Sequence, residues 1–313
     1  MNDSRWPALP LQEWEPTYGT LHRWTQIVGK IRLARTPWIN HSWHVTLYLT
    51  ARGLGTSSIP YDDRSFEIGF DFVDHRLTIA VSDGRSGGFD LQSESVADFH
   101  GRLFEELARM DLHLVIDGRP NEVEDATPFT EDRRHASYDP EYAHRLWVVL
   151  GSAERVFTEF RSRFIGKSSP VHFFWGSFDL AVSRFSGRIA PRHPGGIPNL
   201  PDWIVREAYS HEVASAGFWP GGGPHPFPLF YAYVYPEPEG YRGSRVSPME
   251  AFFSSDLGEF VLPYDVVRQS SSPEEILLEF LESTYAAAAE RAGWNRPELE
   301  RGGDPRAVYT RGG

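Results

Sequence analysis

Cysteine is absent from the 313 residues. That removes disulfides, thiolate zinc sites, iron–sulfur clusters and any cysteine nucleophile from consideration. It also suits a reducing compartment, so a cytoplasmic location is expected. Lysine is nearly as scarce. Only Lys30 and Lys167 occur, and arginine supplies the rest of the 31 basic side chains, a bias that points to a GC-rich genome more than to a function. No stretch of about 18 apolar residues appears, so no membrane-spanning helix is expected. Met1 to Pro10 has neither the basic nor the apolar segment of a secretion signal. The glycine clusters, Gly84 to Gly88 and Gly221-Gly222-Gly223, lack the GxGxxG pattern and the Lys-Ser/Thr of a phosphate loop. There is no HExxH spacing. The net charge of −12, from 43 acidic against 31 basic residues, repels phosphate backbones. With no compensating basic stripe, no nucleic-acid partner is expected.

What the chain does have is aromatic side chains, at 14% of all residues, and patterns of both periods. Leu21, Trp24, Val28 and Ile31 predict a helix over 17–31. His44 to Thr50 alternates as a strand. Phe66, Ile68, Phe70 and Phe72 alternate with polar neighbours, and Asp74-His75 turns the chain into Leu77, Ile79 and Val81, a hairpin. Ser95 and Asp98 open a helix carrying Phe99, Leu103 and Leu107, and 113–116 reads as a short strand. Asp139-Pro140 starts a long amphipathic helix, followed by strands over 171–184, 211–219 and 229–235. Ser272-Pro273-Glu274-Glu275 reads as a capping box for the last helix. The fold class expected is therefore α+β with mostly antiparallel sheet, built from two similar α-β-β-β-α halves that suggest an internal duplication. Residues 1–120 would form the N-terminal half, 121–138 a linker or excursion, 139–294 a C-terminal half packed on the first, and 295–313 a disordered tail.

The residues that can carry chemistry collect in the second half. His172 and His211, with Glu212 beside the latter, have the donor types of a divalent metal site. Regular strand geometry sends His211 and Glu212 to opposite faces, so such a site has to assemble across strands. A histidine at a sheet margin also serves as a hydrogen-bonding link, the commoner use. Asp179, among Trp175, Ser177 and Phe178, is an acid in aromatic surroundings and a candidate general acid or base. An arginine ion pair is its plainer reading. Tyr231, Tyr233 and Tyr235 fall on one strand face and could wall a ligand cleft together with Trp175. The long loops over 191–201 and 220–228 add to this, because long ordered loops are often functional.

Several strings also carry a likeness: Trp6-Pro7-Ala8-Leu9-Pro10-Leu11, Thr20 to Lys30, Pro37-Trp38-Ile39-Asn40-His41-Ser42-Trp43-His44, His172 to Leu180, and Tyr209-Ser210-His211-Glu212. Over roughly Arg5 to Trp294 the chain resembles a bacterial family catalogued only as a domain of unknown function. The resemblance implies a bacterial origin and one family-length unit, and no reaction. The preferred expectation is a small-molecule enzyme in which Asp179 and Glu212 act as catalytic groups and His172 and His211 hold a divalent metal. The alternatives are a non-catalytic module that binds a small ligand against the aromatic wall, and a scaffold that presents the same aromatics to a protein partner. Oligomeric state is not legible.

Overall fold

The computed structural model describes residues 5–303. Its first element is a helix, α1 (Leu11–Arg35), that starts earlier than the periodicity of Leu21 to Ile31 indicates and carries Pro16 inside it. Every residue from Thr20 to Arg32 is buried, so α1 is wrapped on all sides instead of lying on a surface. Six strands follow: β1 (Tyr48–Thr50), β2 (Gly53–Gly55), β3 (Ile59–Tyr61), β4 (Arg64–Asp71), β5 (Arg76–Val81) and β6 (Ser86–Asp90). They form an antiparallel sheet in the order β1-β2-β4-β5-β6, with β3 also pairing to β4. Phe66, Ile68 and Phe70 point into the core as their alternation requires, and His75, left-handed at φ 52°, makes the expected turn into β5. Helix α2 (Val96–Arg109) closes this sheet. Ser95 caps it by accepting from the Asp98 N–H at 3.1 Å, and Phe99 stacks on Trp24 of α1 with centroids 4.5 Å apart.

The second half opens with α3 (Pro140–Ser162), where Asp139 accepts from the N–H groups of Glu141 and Tyr142 at 2.9 and 3.3 Å. Strands β7 (His172–Phe174) and β8 (Asp179–Ile189) come next, then α4 (Asp202–Ala208), β9 (His211–Trp219), β10 (Leu229–Tyr235), β11 (Phe252–Ser254) and β12 (Glu259–Pro263). The sheet order is β11-β12-β10-β9-β8-β7, all antiparallel. The chain continues into α5 (Tyr264–Gln269), α6 (Pro273–Arg291) and α7 (Arg296–Leu299). The fold is α+β, as expected, with six strands per sheet instead of three. Each sheet is preceded by one long helix and followed by another. Edge strand β7 ties the sheets together, because Leu47 and Phe173 exchange backbone hydrogen bonds of 2.9 and 2.8 Å. One buried cluster runs from Trp6 through both sheets to Trp294.

Four local expectations are corrected. The strand over 171–184 is two strands, because residues 175–178 form a turn in which Phe178 is left-handed at φ 58°. The strand over 44–50 is confined to β1. Residues 113–116 find no strand partner; the His113 N–H donates instead to the Tyr61 hydroxyl at 2.9 Å. Ser272 makes no side-chain cap, although the helix does begin at Pro273. Nearby Glu274 pairs instead with Arg5 at 3.2 Å and Arg155 at 3.5 Å. Of the tail 295–313, α7 occupies residues 296–299 and Glu300 bridges to Phe164, while 304–313 lie outside the described residues.

One buried cation holds the second sheet to its helices. Arg184, 1% exposed, lies over the Phe160 ring at 3.4 Å, donates to the Phe160 carbonyl, and pairs with Glu282 at 3.4 Å. Truncation would remove a fully buried side chain packed on the Phe160 and Tyr285 rings and leave Glu282 with Arg163, at 3.6 Å, as its partner. Arg184→Ala is expected to cost about 2–4 kcal/mol, chiefly through lost packing, to be read from a urea denaturation midpoint. A loss under about 1 kcal/mol would show that Arg184 does not join these elements.

Candidate functional site

The face of the second sheet turned away from α3 and α6 forms the floor of a cavity of about 400 Å³. Strand alternation sets which residues reach it. Asp179, Ala181 and Ser183 of β8 point into it, as do Val213 and Ser215 of β9 and Tyr231 and Tyr233 of β10. Paired residues in the register are small in the middle of this floor: Ser183 opposes Ser215, and Ala181 opposes Gly217. That run of small side chains is what leaves the space open. Walls come from three segments outside the sheet: 38–45 with Trp38, His41 and Trp43; 117–122 with Asp117, Asn121 and Glu122; and 197–209, which includes α4, with Leu200, Ile204 and Tyr209.

Asp179 is 6% exposed. The Tyr231 hydroxyl donates to one of its carboxylate oxygens and the Ser177 hydroxyl to the other. Burial pushes its carboxyl up, and these two donors pull it part of the way back. Among the described residues no arginine or lysine pairs with it, so the expected ion pair is not found there. Tyr231 reaches Asp179 because Gly217 lies beneath its hydroxyl, where a Cβ would overlap both that oxygen and the Leu180 carbonyl. Tyr233 stacks beside Tyr231 with centroids 6.1 Å apart, and its hydroxyl bonds that of Tyr209 at 2.8 Å.

Glu122 is the second carboxyl in the pocket. It sits in the left-handed region at φ 59°, with its side chain in space that Gly176 keeps free of a Cβ. It has no cationic partner among the described residues. Burial and the neighbouring Asp179 raise its carboxyl to about 7. Outside the cavity lining, beyond the tyrosines, Glu259 at the start of β12 is raised to about 8 for the same two reasons. Five non-glycine residues around the cavity hold left-handed backbone: His41, Ser42, Glu122, Phe178 and Asn199. Each such conformation costs free energy that the surroundings must offset, and strain of this kind clusters at functional sites.

A polar row on α1 sets these walls in place. His22, Gln26 and Lys30 recur every four residues and all are buried. His22 Nε2 donates to the Gly176 carbonyl at 2.8 Å, fixing the turn before Asp179. Burial lowers its ring to about 4, so it is neutral. Gln26 exchanges two bonds with the Asn121 backbone, at 2.9 and 2.8 Å. Lys30 donates to Asp117 at 3.0 Å and to Asn121 at 2.6 Å. Gly29 on the same helix lets the Trp175 ring lie against the backbone, and the indole donates to the Val45 carbonyl at 2.7 Å. Both lysines of the chain border this cavity. The Lys167 ammonium donates to His41 Nε2 at 2.8 Å and lies over Trp43 at 5.3 Å, while His41 Nδ1 donates to the Ala208 carbonyl at 2.7 Å. Gln26→Leu would strand an N–H and a carbonyl of Asn121. It is expected to cost about 2–4 kcal/mol and to expose the 117–125 segment to limited proteolysis; unchanged cleavage would show that the segment is held by something else.

Of the residues singled out by sequence, Asp179, Trp175, Tyr231 and Tyr233 meet in this cavity. Trp175 and Ser177 get there from a turn, not from a strand shared with Asp179. Tyr235 lies outside it, packed on His193 and Tyr209 and donating to the Pro191 carbonyl at 3.0 Å. The 191–201 loop contributes Ile197, Leu200 and Pro201, whereas the 220–228 loop contributes nothing. His172 and His211 do not meet, because Trp43 and His41 lie between them, with ring centroids of 6.3 Å to His172 and 6.0 Å to His211 respectively. Burial lowers the His172 ring to about 3, which leaves a neutral imidazole among Trp43, Tyr48 and Phe174. Glu212 faces the other side of the sheet, where it pairs with Arg188 at 2.7 Å and accepts from Ser186 at 2.8 Å. Among the described residues, no three His, Asp or Glu side chains gather to hold a metal ion. Among them, too, no helix is long and apolar enough to cross a membrane.

Missed by sequence reasoning were Glu122, placed in an expected linker, and the row His22, Gln26, Lys30. The row had a signal: three polar residues at i, i+4 and i+8 in a helix otherwise rich in large apolar side chains. Glu122 had none, since nothing local ties it to Asp179. No curated protein and no solved structure matches the chain. The family model for DUF5996, a family of unknown function, matches residues 6–301, and the chain belongs to that family.

Proposed function

We propose that the cavity is the active site of a small-molecule enzyme working by general acid–base chemistry, with Asp179 and Glu122 as the proton-transfer groups. The observation that carries this reading is a pair of carboxyls in one aromatic-walled cavity, in contrasting surroundings. Asp179 accepts from two hydroxyls, which favours its anion and suits it to act as a base. Glu122 accepts from none among the described residues and is held near 7, which keeps it substantially protonated at neutral pH and suits it to act as an acid. Pairs of titratable groups pushed apart by their surroundings are how one site runs both halves of a proton transfer. A volume of about 400 Å³ accommodates a metabolite-sized molecule. Tyr209 and Tyr233, linked by their hydroxyls, would orient polar groups of that molecule.

Incubating the full chain with a defined metabolite mixture, followed by mass spectrometry, tests the reading. At least one compound should be depleted by the wild type. Asp179→Asn and Glu122→Gln, checked for folding by their thermal melts, should each slow that depletion by about 10²–10⁴-fold. The rate should follow a bell with its alkaline limb near the Glu122 value of about 7. A compound that is retained by the protein but never converted would make the cavity a binding module instead.

A further inference from the structure

We infer that the molecule this cavity takes is an organic cation, an amine or quaternary ammonium head held against the tyrosine wall and facing Asp179 and Glu122. The inference rests on the reading of the cavity as a small-molecule site, and it adds the chemical class of the occupant.

The first argument is charge. Arginine pairs with carboxylates over much of this protein: Arg52 with Asp71, Arg64 with Asp83, Arg102 with Glu94, Arg188 with Glu212. Inside the cavity that habit stops. Asp179 and Glu122 have no Arg or Lys partner among the described residues, and Glu259 beyond the tyrosines has none either. The lysine that lines the cavity, Lys30, already binds Asp117 at 3.0 Å and Asn121 at 2.6 Å, so its charge is taken up at the wall. A set of enclosed carboxyls without a counter-charge either stays protonated or is matched by a cation from outside.

The second argument is the rings. Aromatic faces attract ammonium groups through their quadrupole. Three rings of this cavity already do so with the protein's own cations: Lys30 lies 5.9 Å from the Trp175 centroid, and Lys167 lies 5.3 Å from that of Trp43 and 5.1 Å from that of Phe185. Tyr231 and Tyr233 are stacked nearly parallel at 19°, and Tyr209 is tilted against Tyr233 at 46°. These three tyrosines, unlike Trp175 and Trp43, have no protein cation over their rings among the described residues, and Tyr231 itself donates to Asp179. A cationic head beside them meets ring and carboxylate together.

The third argument is proton linkage. A permanent cation favours the ionised carboxyl, so a quaternary ammonium competes with the proton that Glu122 holds near 7 and blocks the acid step, whereas an amine substrate brings a proton of its own to the pair. The charged and titratable groups around Glu122 are Asp179 from β8, His22 and Lys30 from α1, Asp117 from the 117–122 segment, Tyr209 after α4, Tyr231 and Tyr233 from β10, and Glu259 from β12. His22 is neutral down to about 4 and burial raises all three tyrosines, so the carboxyls alone titrate between pH 6 and 8. Affinity for a quaternary ammonium should therefore rise about tenfold from pH 6 to pH 8.

The test uses two pairs of isosteres that differ by one charge: choline against 3,3-dimethylbutan-1-ol, and benzyltrimethylammonium against neopentylbenzene. Each is titrated into the full chain by calorimetry and by tryptophan fluorescence, which Trp43 and Trp175 report from the cavity wall. At pH 8 at least one cation should bind about tenfold or more tighter than its neutral twin. That preference should shrink by a similar factor in Glu122→Gln, with Asp179→Asn as a second variant should the first melt early. If the neutral twins bind as tightly as the cations, or cation affinity ignores pH and Glu122→Gln, the inference is overturned and the small-molecule site survives. If none of the four probes binds, both fall.

Discussion

Gly217→Ala is expected to lower stability by about 2–3 kcal/mol, the upper part of the range for forcing one methyl into a packed site. The new Cβ would overlap the Tyr231 hydroxyl oxygen and the Leu180 carbonyl. The first can swing away. The second belongs to β8, which β7 and β9 grip on both sides, so the strain has nowhere to go. The swing has a chemical cost as well, because it breaks the Tyr231 bond to Asp179 and leaves the carboxyl with Ser177 alone. Two comparisons separate these parts. Tyr231→Phe removes the hydroxyl without the clash and should cost about 1 kcal/mol. The double variant should recover part of the Gly217→Ala loss, since the methyl then takes the vacated space, and the recovery is read as a non-additive urea midpoint. A Gly217→Ala protein as stable as the wild type would mean that the floor is not packed as described.

His172→Phe is expected to be near-neutral at pH 7 and to outlast the wild type by about 3 kcal/mol at pH 4. The His172 ring titrates at about 3, against an ordinary 6.5 in the unfolded chain. The unfolded state therefore takes up the proton first. The stability this ring contributes is complete above pH 6.5 and drains away as pH falls toward 3. Phenylalanine has nothing to protonate and suits a site walled by Trp43, Tyr48 and Phe174. His22, lowered to about 4, acts in the same direction. Glu122 and Glu259 act in the opposite one. Their values of about 7 and about 8 exceed the ordinary 4.5, so they favour folding fully below pH 4.5 and less and less as pH rises through 7 and 8. Glu122→Gln should accordingly gain on the order of 1–2 kcal/mol over the wild type at pH 8, after allowing for the partial exposure of this side chain. Between pH 4 and 7 the two pairs oppose each other, so the wild-type profile alone can be flat while each variant diverges from it. Urea titrations at pH 4, 6 and 8 check this; parallel curves for His172→Phe and the wild type would refute the assignment of a depressed ring.

Much of the fold was legible because its patterns are local. The period-two run from Phe66 to Phe72 and the Ser95 and Asp139 caps each need only their own neighbours. Where a long-range partner decides, the sequence misleads. Residues 171–184 read as one strand, and the chain turns at 175–178 because Trp175 finds its slot against Gly29 and its acceptor at Val45. The site was half legible for the same reason. Asp179, Tyr231 and Tyr233 announce themselves by type and by alternation on their own strands. Glu122 stands in a polar stretch with no periodicity, and Gln26, which anchors the residue before it, lies 95 residues away. The histidines misled because a buried imidazole and a ligating one share a sequence signature, and here Trp43 and His41 come between the two that would have had to meet.

The buried row on α1 bears on how the protein is made. Leaving a ribosome, α1 emerges before the segments that satisfy it: Gln26 must wait 95 residues for Asn121 and His22 must wait 154 for Gly176. Until then a helix meant to be covered on every side has imidazole, amide and ammonium groups that only water can satisfy. The N-terminal sheet can collapse on one flank of it, but the row stays wet until β7 and β8 have been synthesised. Closure of the cavity is therefore a late event that locks both halves at once. A chain truncated before Gly176 would keep its first sheet and lack the contact that turns α1 into the common axis of the molecule.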